Sequence, residues 1–256
     1  MNARQPAEDH WAGLRLTTRA RIGLGRAGNS LPSRRVLEFK AAHSAARDAV
    51  HEPLDVADLN DQISDLDIEP ALHVHSEAGS RSEYLRRPDL GRRPADLSHL
   101  PDTGADLAIV LADGLSPRAL ADHGRGLLEA LLDTLAPRYS LAPPVIATQA
   151  RVALGDHLGE ALRAQTMIMI IGERPGLSVA DSLGIYLTHL PRAGRSDADR
   201  NCISNIHPPD GLDYTTAAAI TAALVDGARK LGRSGVALKD TSRDQLTGSD
   251  ARILDG

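Results

Sequence analysis

Three polar segments carry the residue types that recognise a ligand: Arg151-Val152-Ala153-Leu154-Gly155-Asp156, Gly172-Glu173-Arg174-Pro175-Gly176, and Asp199 through Ile206. Glu173 offers a carboxylate to ligand amides or hydroxyls, or alternatively an ion pair to Arg174 or another arginine. Cys202 is the one cysteine of the chain and serves either as a small wall residue against a ligand or as a buried thiol. Arg86, Arg87, Arg92 and Arg93 surround Pro88-Asp89-Leu90-Gly91. Guanidinium groups bind phosphate and carboxylate bidentately, so this turn suits an anion, or as the bland alternative a solvated turn or a subunit contact. His73 and His75 stand two apart, on one face of a strand, with no third ligand nearby; Cys202 and His207 likewise lack the partners that would complete a metal site. Gly23-Leu24-Gly25-Arg26-Ala27-Gly28 fits the dinucleotide fingerprint letter for letter. That fingerprint needs a strand before it and a helix starting on it. Here Arg15, Arg19 and Ile22 are spaced for a helix and Asn29 to Pro32 form a turn, so a contact loop carrying Arg26 is expected instead. Nucleophile-elbow, zincin and P-loop patterns do not occur, and the chain carries no recognisable acid, base and nucleophile set.

The elements that must position these residues are legible in the apolar pattern. Asp106 to Leu111, Val145 to Thr148, Thr166 to Ile171 and Leu183 to Leu190 are short apolar runs, the mark of strands buried on both faces. Ser116 caps a helix that has Pro117 at its first position and leucines at helical spacing from Leu120 to Leu135. Gly155 to Leu162 reads as a short helix, and Thr215 to Leu231 as an Ala-rich one stopped by Gly232. Strands alternating with helices imply a Rossmann-like α/β fold, a parallel sheet with helices on both faces. Ligands gather outside the carboxyl ends of such strands, so the turns after 111, around 150, after 171 and after 190 are the places to look. Residues 1–100 read as an arm and a small, mostly helical N-terminal subdomain. Val36, Phe39, Ala42, Ala46 and Ala49 give one helical face there, with Ser33 as N-cap and Pro53 limiting the far end. Residues 101–256 read as the α/β domain, with a polar tail from Asp240.

Composition narrows the classes. The chain has 256 residues, 42% hydrophobic and 25% charged, ordinary for a globular protein. Aromatic residues are only 2% and the net charge is −5, which argues against a nucleic-acid binder. No apolar run is long enough to span a bilayer, and the start has no apolar signal core. A cytoplasmic protein is expected.

The sequence resembles the small (light) subunit family of ethanolamine ammonia-lyase, from about residue 14 to 240. The matching stretches are Ala20 to Gly28, Tyr84 to Arg93, Ala112 to Ser116, Gly172 to Leu177, Asp181 to Leu183 and Asp199 to His207. The resemblance implies an adenosylcobalamin-dependent lyase that converts ethanolamine, and related vicinal amino alcohols, to an oxo compound and ammonia. It also implies that radical chemistry and the substrate pocket belong to a (β/α)₈ large subunit, and that this chain is inactive alone and covers cobalamin at the interface. The cofactor would then carry the hard chemistry. Family residues against the cobalamin fall on Val152, Glu173 and Cys202, and the arginine cluster is expected to serve assembly. Some relatives have a longer N-terminal extension, proposed to direct them into a bacterial microcompartment; this chain begins only a few residues before the matching region, which favours free cytosol. Two other classes make distinct predictions. A stand-alone nucleotide-binding oxidoreductase would bind NAD(H) without a partner, and an RNA adaptor would show strongly salt-dependent RNA binding.

Overall fold

The computed structural model describes residues 9–239, so the polar tail from Asp240 lies outside the described residues. The elements are α1 (Ala12–Arg15), α2 (Ser33–His51), α3 (Val56–Ile63), β1 (Leu72–His75), α4 (Arg81–Arg86), β2 (Leu107–Ala112), α5 (Pro117–Leu135), β3 (Val145–Thr148), α6 (Leu154–Ala161), β4 (Thr166–Gly172), β5 (Leu183–His189), β6 (Asn201–Ile206) and α7 (Tyr214–Leu231). Single 3₁₀ turns lie at Leu90–Arg92 and Asp197–Asp199. Among the described residues no helix is long and apolar enough to cross a membrane.

The six strands form one sheet in the order β1-β3-β2-β4-β5-β6. β2 and β4 lie inside it and are buried at every position, which is why they read as unbroken apolar runs. One face packs Leu120, Leu127, Leu128, Leu131 and Leu135 of α5 together with Leu59 and Ile63 of α3 and Ala218, Leu224 and Val225 of α7. The other face is covered by Leu154 and Leu158 of α6 with Leu162. Ser116 caps α5 as expected, its Oγ accepting from Ala119 N–H while its hydroxyl donates to the Ala180 carbonyl. Gly232 closes α7 in the left-handed conformation.

The sheet is mixed, not wholly parallel. β1, β3, β2 and β4 run parallel, but β5 and β6 are antiparallel to their neighbours. The cause is the connection. Links from β2 to β3 and from β3 to β4 contain helical crossovers, whereas residues 173–182 contain no helix and return the chain at the same sheet edge. Gly172 therefore pairs with Leu183, and Leu183 with Ile206, beside the carboxyl ends of the parallel strands. The reversal moves the turn after 190 to the far edge, because His189 pairs with Thr166 at the start of β4. That turn drops out of the candidate site.

The first hundred residues contribute the edge strand β1, whose His73 and His75 share an exposed face around buried Val74. Among the described residues no cluster of His, Cys, Asp or Glu is arranged to hold a metal ion. On α2, Pro32 occupies the cap position and Ser33 is already helical, with no side-chain cap bond. Of the apolar face expected there, Ala49 alone is fully buried and Phe39 stays exposed.

Candidate functional site

A cavity of about 280 Å³ opens at the carboxyl edge of the parallel strands, walled in part by Tyr84, Gly114, Arg151, Val152, Glu173 and Tyr186. Val152 and Glu173 thus come together from the loops after β3 and β4. Cys202 stands beside this cavity. It faces Tyr186 across the β5–β6 pair, is exposed and so is no buried thiol, and its Sγ lies 3.2 Å from Ser204 Oγ. The segment that carries it is itself the edge strand β6, not a loop beyond a strand end. Burial first, and then the Cys202 thiol, push the Tyr186 phenol up to about 12, so it stays protonated.

Glu173 makes no ion pair among the described residues. Its Oε2 accepts Ser182 Oγ–H at 2.8 Å and Asn205 N–H at 3.1 Å, while Oε1 has no hydrogen-bond partner among them. The carboxylate rests over Gly184, where a methyl group would stand 3.1 Å from Oε1. This leaves one oxygen free to accept from a ligand.

The opposite wall is built on a buried charge network that the sequence pattern does not announce. Asp113, at the end of β2, accepts Gln149 N–H at 2.7 Å and Ala150 N–H at 3.0 Å and pairs with Arg81 at 3.4 Å. Burial raises its pKa, with Arg81 and the amides pulling it back. Arg81 and Arg151 both lie against the Tyr84 ring, 4.8 and 4.3 Å from its centroid. The Tyr84 hydroxyl donates to the Ala150 carbonyl at 3.0 Å. Asp113 and Tyr84 together fix the loop that presents Arg151 and Val152. Arg151 Nε is buried with no hydrogen-bond partner among the described residues.

The arginine turn packs directly behind this wall. Gly91 accepts Arg151 N–H at 2.8 Å, and a Cβ there would meet Arg151 and Tyr84 at 2.9 Å, so only glycine permits the approach. The four arginines are not all short of partners. Arg87 pairs bidentately with Asp89, holding that carboxyl down at about 2, and Arg93 pairs with Glu77 at 2.7 Å. Arg86 and Arg92 make no ion pair among the described residues. These two are the members of the cluster whose guanidinium groups have no carboxylate partner among the described residues.

Gly23, Gly25 and Gly28 all take positive φ, but in an irregular segment that follows the short helix α1 and not a strand. Arg19 pairs with Asp210 and Arg21 donates to the Leu177 carbonyl at 3.0 Å, so this loop leans on the connection after β4. The context a dinucleotide needs is missing.

The family described as ethanolamine ammonia-lyase light chain (EutC) matches residues 8–239. The chain is 63% identical over 251 residues to the ethanolamine ammonia-lyase small subunit of Rhodococcus erythropolis, covering 98% of each chain. Identity is 49% over 255 residues to the small subunit of Xanthomonas campestris pv. campestris (strain B100), covering 96% of this chain and 93% of that one. It is 48% over 250 residues to that of Azotobacter vinelandii, covering 94% and 92%.

Proposed function

The chain belongs to the ethanolamine ammonia-lyase light-chain family, and from that premise we propose that it assembles with a large subunit to deaminate ethanolamine and supplies one wall of an adenosylcobalamin site. The observation that carries this reading is the meeting of Val152 and Glu173 in one cavity, with Cys202 alongside, at the carboxyl edge of the parallel strands.

The polar lining fits. The free Glu173 Oε1 suits an amide or hydroxyl donor on a corrinoid edge. A cavity of about 280 Å³ takes only part of a corrinoid, so the large subunit must cover the rest. Adenosylcobalamin, when bound, supplies the radical chemistry. This chain binds, orients and shields. Val152 packs against an apolar edge, Glu173 accepts a hydrogen bond, the protonated Tyr186 presents a neutral surface, and Cys202 is a small contact beside it. From the first hundred residues, Tyr84 forms part of the wall and Arg81 braces its ring.

The test is reconstitution with the large subunit, followed by cobalamin titration. Turnover is expected only from the complex. Glu173→Ala removes a charged acceptor, a loss of about 1.5–3 kcal/mol, and is expected to raise the half-saturating cobalamin by roughly one to two decades while leaving saturated turnover nearly unchanged. Turnover by the purified single chain would overturn the reading. Lost turnover at saturating cofactor with unchanged affinity would make Glu173 a chemical participant instead.

A further inference from the structure

Asn205 is the one non-glycine residue of β6 in the left-handed region, with φ +64°. Asparagine takes that conformation more readily than other non-glycine side chains, but something must still hold it there in preference to the extended form of a strand. Three contacts do. His207 Nε2 stands 2.8 Å from Asn205 Oδ1, Leu212 N–H donates to the Asn205 carbonyl at 2.8 Å, and Gly211 packs so closely that a Cβ would meet that carbonyl at 2.4 Å and the His207 ring at 2.5 Å. Burial holds the His207 imidazole below its usual range, so the neutral ring carries a single N–H. The outcome of this local lock is that Asn205 N–H points at Glu173 Oε2.

We propose that Asn205, locked by His207, is a positioning residue for Glu173. Its backbone N–H and the Ser182 hydroxyl engage one carboxylate oxygen, which turns the other toward the cavity. The inference rests on the reading of Glu173 as a cobalamin acceptor. It adds a residue that acts through Glu173 and touches no cofactor.

Glycine adopts left-handed geometry freely and alanine does not, so the pair Asn205→Gly and Asn205→Ala separates backbone aim from side-chain loss. In the complex reconstituted with the large subunit, adenosylcobalamin affinity is read from equilibrium absorption titration. Asn205→Ala is expected to weaken binding about tenfold and Asn205→Gly no more than about threefold. In a Glu173→Ala background, Asn205→Ala is expected to add less than about twofold, because its effect passes through the missing carboxylate. Hydrogen exchange supplies a readout independent of cofactor: the amide at 205 should exchange faster in Glu173→Ala than in the parent chain. If Asn205→Ala does not fold, Ser182→Ala removes the other donor to the same oxygen and is expected to weaken binding about threefold. Should Glu173→Ala weaken binding while Asn205→Ala and Ser182→Ala bind like the parent, or should Asn205→Ala add its full loss in the Glu173→Ala background, the positioning role is wrong and the cofactor reading stands. Parental affinity in Glu173→Ala overturns both.

Discussion

Asp156→Ala is expected to destabilise the chain by about 3–5 kcal/mol, a large share of the roughly 5–15 kcal/mol that holds a domain together. Asp156, in the first turn of α6, pairs with Arg200, and both side chains are only 2% exposed. Burial pushes the Asp156 carboxyl up and Arg200 pulls it back, as for a pair whose members tolerate the interior only together. Without Asp156 the guanidinium keeps only Asp197, whose carboxylate lies almost wholly in water and is screened there, and the Arg195 carbonyl, so the compensation left to the buried charge is weak. The pair also bolts together two parts of the candidate site. α6 follows Val152, and Arg200 immediately precedes the strand that carries Cys202. Urea unfolding checks the loss. Because the penalty is that of an orphaned charge, the double variant Asp156→Leu with Arg200→Met should lose much less than the sum of the single changes. A single-variant loss below about 1 kcal/mol would contradict this account of the pair.

Asp113 is expected to show the second large effect, with a consequence at the cavity as well. Each group that Asp113 meets is a donor: two backbone N–H groups and the Arg81 guanidinium. Asp113→Ala leaves all of them facing a void and the Arg81 charge buried, at a cost of about 3–5 kcal/mol. Asp113→Asn keeps the shape but turns an amide N–H₂ toward a donor, and is expected to lose about 2–3 kcal/mol. In both variants the loop of Gln149 to Val152 loses its anchor. Cobalamin affinity of the reconstituted complex should therefore fall at temperatures where the variant is still fully folded. An Asp113→Asn protein with parental melting temperature and parental affinity would show that the network does not position this wall.

The layered part of this architecture was open to the sequence because its signals are local. β2 and β4 are apolar on both faces, Ser116 and Pro117 mark the start of α5, and Gly232 marks the end of α7. β6 was hidden because it is an edge strand with buried Ile203 and Ile206 among exposed polar residues, so no apolar run betrays it. The antiparallel return of β5 depends on what residues 173–182 do not contain, a crossover helix, and an apolar strand reads the same in either direction. Glu173 stood out as an acid beyond a strand end, whereas Val152 lay in such a segment but was singled out only by the family resemblance. Asp113, Arg81 and Tyr84 did not, since residues so far apart in the chain reveal a shared role only when the fold joins them. The Ala112-Asp113-Gly114 turn was the one available hint: an acid at the end of a buried strand must find donors.

The central claim, that this chain forms one wall of a cobalamin site, is tested most directly at Cys202. The thiol is exposed in the single chain and is the only one it has, so alkylation by iodoacetamide reports its accessibility without interference from other thiols of this chain. In the complex with the large subunit, adenosylcobalamin at about 100 times its Kd leaves only about 1% of sites free. Alkylation of Cys202, followed by peptide mass spectrometry, is then expected to slow by an order of magnitude or more when the cofactor is added. Equal alkylation rates with and without saturating cobalamin, in a complex that turns over ethanolamine, would remove Cys202 from the site and contradict the assignment of this wall.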